Sequence, residues 1–101
     1  MGDIRRTIIN TFADEETCDM FIMVIEKKWS EFRSPLIGRA TLEVIKDATD
    51  PRRMSVIWTY ENPEDFLKID DFGKDWIIPY RDRLKPKTEM LTGVVQMRMD
   101  F

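Results

Sequence analysis

Asn10 is the first residue in this chain of 101 whose type and setting point to chemistry. It stands between Ile8 and Phe12 in RRTIINTF, a run rich in β-branched residues that predicts a strand over residues 5–12. Alternate strand residues share a face, so the Asn10 amide points the same way as two large apolar side chains. An amide buried there must find partners for its donors and its acceptor. A backbone group or a water satisfies it in a plain core; in a binding site it orients a ligand carbonyl or hydroxyl. Aromatic residues accompany it. Met54, Val56, Trp58 and Tyr60 share a face of MSVIWTY, and Trp76 and Tyr80 lie one turn apart on a predicted helix. Such residues fill cores, but gathered around one amide they also wall a pocket for a flat apolar ligand. Gly73 leaves space on that helix face, or lets helix and sheet pack closely. Arg81 reaches toward a ligand anion, or pairs with Asp82 in solvent.

Other chemistry is excluded by composition. The chain has no histidine, which removes catalytic zinc with histidine ligands, histidine-ligated haem and Ser-His-Asp catalysis. Cys18 is the single cysteine, so no internal disulfide forms, as suits a reducing compartment. It lies early on a helix with no histidine base, and reads as a buried structural thiol. Asp70 and Asp71 diverge on a helix and read as solvated surface, not a metal pair. Seven methionines suit adaptable packing better than a copper site. With 16 basic and 19 acidic residues the net charge is -3, leaving no basic stripe for a phosphate backbone. An RNA-binding sheet fails too, because the central strands lack its aromatic-and-basic pattern. The opening MGDIRRTIINTF has no apolar signal-peptide region, and no apolar run approaches the ~20 residues of a membrane span. The expected location is the cytoplasm.

The elements that must position these residues follow from local signals. Asp14, followed by Glu15 and Glu16, starts a helix that carries Cys18, Phe21, Ile22, Ile25, Trp29 and Phe32 on one stripe and stops at Ser34-Pro35. Residues 38–46 alternate as a second strand, with Glu43 on the polar side in an interface or a salt bridge. A turn at Asp50-Pro51 leads to a third strand over 54–60, forming an antiparallel hairpin. Asn62-Pro63 starts the second helix, Pro79 kinks or splits it, and Lys85-Pro86 ends it. Residues 88–101 read as a last strand, with Gly93 marking a bulge or a close backbone approach.

The order βαββαβ predicts a single α+β domain over 1–101, ferredoxin-like, with helices on one face of a four-stranded antiparallel sheet. The other face carries Thr7, Ile9, Thr11, Ser55, Ile57 and Thr59, a mixture suited to burial against a second copy. The last strand is apolar and would leave an edge open to association. A two-fold homodimer with sheets packed face to face is expected.

In this order and in two short motifs the chain resembles the dimeric α+β barrel superfamily, in particular the small antibiotic-biosynthesis-monooxygenase-like proteins. Ile9-Asn10-Thr11-Phe12 is similar to the strand bearing a catalytic Asn in the haem-degrading branch. Tyr60-Glu61-Asn62-Pro63-Glu64-Asp65-Phe66 is similar to that family's aromatic-x-Ser-x-Glu-x-Phe junction. Tyr60 stands where that branch has a catalytic Trp, and Ile69 where it has a histidine, so haem degradation is disfavoured. Related members use no metal or flavin, and hold a polyketide-like substrate anion that itself reacts with oxygen. The resemblance therefore implies a cofactor-free site with Asn10 and Tyr60 as the catalytic pair. Phe12, Trp58, Gly73, Trp76, Tyr80 and Arg81 would bind the substrate.

Two readings of function follow. One is a cofactor-independent monooxygenase, or a related cyclase or isomerase, acting on a small aromatic or polyketide-like compound. The other is a non-catalytic ligand-binding or dimeric assembly module, since each marked residue also has a place in a core.

Overall fold

The alternating segments become four strands: β1 (Ile4–Thr11), β2 (Ala40–Lys46), β3 (Arg53–Tyr60) and β4 (Lys87–Val94). The computed structural model describes residues 3–32 and 40–101. The predicted helix stop at Ser34-Pro35 and the start of the second strand at Gly38 lie outside those residues. The strands form one sheet in the order β2-β3-β1-β4, and every neighbouring pair is antiparallel. This is the ferredoxin-like α+β arrangement.

Caps set the helices. Helix α1 (Glu15–Phe32) begins where the Thr17 N–H donates to Asp14 Oδ1 at 2.7 Å, and hydrogen bonding from the Thr17 side chain, with this backbone bond, holds the Asp14 carboxyl below its ordinary pKa. Its buried stripe is Cys18, Phe21, Ile25 and Trp29. Burial pushes the Cys18 thiol pKa up, as expected of a structural cysteine. Helix α2 (Pro63–Phe72) begins at Asn62, whose Oδ1 accepts the Glu64 N–H at 2.9 Å. A π-helical turn (Gly73–Ile77) then leads into α3 (Ile78–Leu84). Pro79 explains the turn, since it has no N–H for the carbonyl four residues back. The helix widens just before it, and the Ile78 N–H donates to Gly73 O, five residues back. Lys85 closes α3 in the left-handed region, with φ 51 and its N–H on Arg81 O at 2.8 Å. No helix among the described residues is long and apolar enough to cross a membrane.

The core lies between the helices and the sheet face carrying Asn10, Met54, Val56, Trp58 and Tyr60, joined by Phe12 just past β1. At its centre the Trp29 ring lies 4.6 Å from Trp58 and 4.7 Å from Phe72, and Phe72 stacks on Phe32 at 4.2 Å. These contacts tie α1 to β3 and α2.

Two expectations about the last strand are corrected. β4 ends at Val94, not at residue 101. Val94 pairs with Ile4, the Val95 N–H donates to Asp3 O at 2.8 Å, and β1 then offers no further partner. Gly93 makes no bulge, because it pairs in unbroken register with Arg5 and has open space where a side chain would stand.

The β2–β3 turn is organised by Asp47. Its Oδ1 accepts from the Thr49 N–H at 2.8 Å and the Thr49 hydroxyl at 2.9 Å, and Oδ2 accepts from Arg53 at 3.1 Å. The bonds from Thr49 above all lower its carboxyl pKa from 3.8 to about 2. A carboxylate whose folded pKa is depressed stabilises above its unfolded pKa and loses that contribution as pH falls through its folded value. The wild-type chain should therefore lose stability more steeply than Asp47→Asn between pH 3.8 and about 2. Urea midpoints across that window measure the difference.

Candidate ligand-binding site

Alternation along β1 presents Arg6, Ile8 and Asn10 to the helices. Above them the helix layer leaves a cavity of about 170 Å³. Phe21, Ile25 and Trp29 of α1, Val56 and Trp58 of β3, and Ile69 of α2 wall it. The widened turn and α3 contribute Gly73, Lys74, Ile77, Ile78 and Arg81, and β4 contributes Met90.

Asn10 is 1% exposed, and its amide is oriented. The Thr88 hydroxyl donates to Oδ1 at 2.7 Å, and Nδ2 donates to Met54 Sδ at 3.7 Å. A thioether sulfur can only accept, which sets the nitrogen on that side. It is also a weak acceptor, so the amide keeps donor capacity for an oxygen in the cavity.

The charged lining residues are Arg6, Lys74, Arg81 and Asp70, three cations to one carboxylate in a chain of net charge -3. Arg6 Nη1 pairs with Asp70 Oδ1 at 3.4 Å, Nε donates to Met90 Sδ at 3.2 Å, and the guanidinium lies 4.7 Å from the Phe66 ring centre. Its side chain is only 15% exposed while that of Asp70 is 50% exposed. Arg6 is thus a largely desolvated cation, where attraction for an anion is screened least.

Of the residues singled out in the sequence, the cavity gathers Asn10, Trp58, Gly73 and Arg81. It does not gather the rest. Tyr60 is buried at the opposite end of β3, where it pairs with Ile4 while Asn10 pairs with Met54. Six strand residues separate those levels, about 20 Å. Tyr60 stacks with Phe66 at 5.8 Å and borders a separate groove with Thr41, Asn62 and Asp65. Burial raises its phenol pKa, against a smaller opposing effect of Arg6. Phe12 packs on Phe21 at 5.4 Å, outside the cavity lining. Trp76 is 51% exposed, outside the cavity, with Lys28 over its ring at 4.9 Å. Tyr80 packs against the core, with Arg83 5.8 Å from its ring. Sequence reasoning missed Arg6, Lys74 and Asp70. The signal for Arg6 was there, since it shares the face of Ile8 and Asn10. Asp70 read as plain surface because its partner is on another element.

Gly73 has φ -60 and ψ -40, and a Cβ built on it would lie 3.9 Å from Trp29 Cζ2, an ordinary contact. Gly73→Ala should therefore gain about 0.5–1 kcal/mol from lower backbone entropy in the unfolded chain. Denaturant unfolding would show the gain; a loss would mean that the helix needs closer approach to Trp29.

No family model and no curated protein matches the chain. Its fold is shared with solved structures of low sequence identity. A dimeric ferredoxin-like protein from an uncultured marine organism superposes with TM-score 0.78 over 98% of this chain and 100% of its own, at 12% identity. A second dimeric ferredoxin-like protein from an uncultured marine organism gives 0.77 over 100% and 94%, at 18% identity. SnoaB, a cofactor-independent oxygenase from Streptomyces nogalater, gives 0.73 over 98% of both chains, at 10% identity. The chain thus has the fold of dimeric ferredoxin-like proteins and of antibiotic-biosynthesis-monooxygenase-like proteins.

Proposed function

We propose that the chain is a cofactor-independent oxygenase acting on a small aromatic or polyketide-like compound held as its anion. The observation that carries this reading is the oriented, buried Asn10 amide at one end of an apolar cavity with a cationic rim. An N–H of Asn10 donates to the enolate or phenolate oxygen, and preorganised donors of this kind lower the energy of a developing oxyanion. Arg6, Lys74 and Arg81 favour loss of the substrate proton to solvent by favouring the anion. The aromatic and aliphatic walls keep bulk water from the reacting carbon. That electron-rich carbon reduces O2. For a CH2 group, one oxygen atom becomes the new carbonyl and the other leaves as water with the two hydrogens.

A second reading, an anion-binding module without turnover, is favoured by one observation. Asp70, the one carboxylate among the cavity-lining residues, is already paired with Arg6, and so is poorly placed to act as a base. Thermal shift with hydroxylated aromatic ketones and phenols, followed by oxygen uptake in chelator-treated buffer, separates the two. The oxygenase reading expects a compound that both raises Tm and consumes oxygen. Binding without uptake across the panel supports the module.

Self-association belongs to the same proposal. The sheet face away from the helices sets Leu91, Thr7, Ile57 and Glu43 in one row and Glu89, Ile9, Ser55 and Ile45 in the next. Leu91 is 73% exposed and Ile45 is 50% exposed on a single chain. A second copy packed face to face covers both. Light scattering at micromolar concentration tests this, and a monomer there would refute it.

A further inference from the structure

We infer that the ligand is a single-ring aryl carboxylate with an oxygen at the far end of the ring, its carboxylate on Arg6 and that oxygen on Asn10. This rests on reading the cavity as a ligand site. Three observations select the class.

The first is the order of side chains that β1 shows to the cavity. Arg6, Ile8 and Asn10 line it in succession: a guanidinium, an aliphatic surface, an amide. Alternate strand residues are about 6.6 Å apart, so the backbone positions of the two polar ends stand about 13 Å apart. A flat ring over Ile8, with one acceptor at each end, matches that strip.

The second is size. The cavity holds about 170 Å³. An apolar protein cavity of about 150 Å³ takes up one benzene. One ring fits here, and a fused polycyclic system would have to leave most of itself outside.

The third is the anion already present at the rim. The Asp70 carboxylate sits on Arg6 at 3.4 Å. Arg6 thus already holds one carboxylate oxygen, and a carboxylate is an anion that a guanidinium binds well. Lys74, four residues on from Asp70, adds positive charge that no acidic lining residue besides Asp70 balances. Asp70 is therefore a competitor of the ligand carboxylate as well as a partner of Arg6.

The test is calorimetric titration of the chain at low ionic strength with three probes. They are 4-hydroxybenzoate, its methyl ester, which lacks the charge, and benzoate, which lacks the far oxygen. The expected result is that 4-hydroxybenzoate binds about tenfold more tightly than either of the others, the scale of one charge-assisted hydrogen bond. Arg6→Gln should reduce the acid toward the level of the ester. Asp70→Asn should tighten the acid several-fold by removing its competitor, a gain that a purely structural role for Asp70 does not give. Circular dichroism of each variant checks the fold, and Lys74→Gln serves if Arg6→Gln unfolds. An ester that binds the wild type as tightly as the acid overturns the inference, as does failure of all three probes to bind. In either case, oxygen uptake with a larger polyketide-like compound would leave the oxygenase reading standing.

Discussion

Trp29→Ala is expected to cost about 3–5 kcal/mol of folding stability, the usual range for truncating a buried large aromatic. Trp29 is 7% exposed, and its ring meets Phe32, Trp58 and Phe72 at 5.4, 4.6 and 4.7 Å between centres. Those partners belong to three elements, so no single side chain can move to fill the space. The void would also open into the neighbouring cavity, which Trp29 lines. Small domains have only about 5–15 kcal/mol in all, so the variant would sit near the threshold of folding. At roughly 4–8 °C per kcal/mol for a domain of this size, the fall in Tm is easily read. Trp76→Ala is the control. Its ring is 51% exposed and meets Phe72 at 6.2 Å, so the expected cost is below about 1 kcal/mol. Equal losses from the two variants would show that the aromatic cluster does not hold α1 and α2 to the sheet.

Asn10→Ala is expected to lower kcat by about 10²–10³-fold, the effect of deleting one preorganised donor to an oxyanion. The fold should tolerate it. Met54 Sδ loses only a weak donor, and exposed Thr88 can turn its hydroxyl to water. Circular dichroism and Tm separate lost chemistry from lost structure. Thr88→Val tests the positioning role, because it leaves the amide in place without its 2.7 Å anchor. One neutral hydrogen bond is worth about 1 kcal/mol, so a fall of up to about tenfold is expected, in kcat more than in KM. An Asn10→Ala protein that binds and turns over like wild type would leave the amide a core residue and remove the proposed site.

Much of the fold was legible locally. Alternation in TIINT and MSVIWT names the strands and their faces, Asp14 and Asn62 name the helix starts, and Pro79 announces the break that the π turn supplies. Each signal spans only a few residues and acts through backbone dihedrals or a single hydrogen bond. The burial of Asn10 follows in the same way, from its place between Ile8 and Phe12.

The site was less legible, because it depends on register and on where the helices lie over the sheet. Tyr60 shares a face with Trp58 and Met54, yet the antiparallel pairing of β1 with β3 sets it beside Ile4, about 20 Å along the strand from Asn10. Trp76 and Tyr80 have the right helical spacing, but the widened turn before Pro79 shifts the phase between α2 and α3. Ile77 and Ile78 line the cavity in their place, beside Gly73 and Arg81, which the sequence had singled out. Residues 95–101 carry a strand's alternation but have no partner once β1 runs out. By itself, then, the sequence determined the order of elements, the faces of the strands and the presence of one amide in the core. Tertiary structure alone decided that Arg6, Asp70 and Lys74, drawn from a strand and a helical segment more than sixty residues on, line one cavity with Asn10 and Arg81. Periodicity is a property of neighbouring residues, whereas convergence is set by strand register and helix packing, which no short stretch of chain contains.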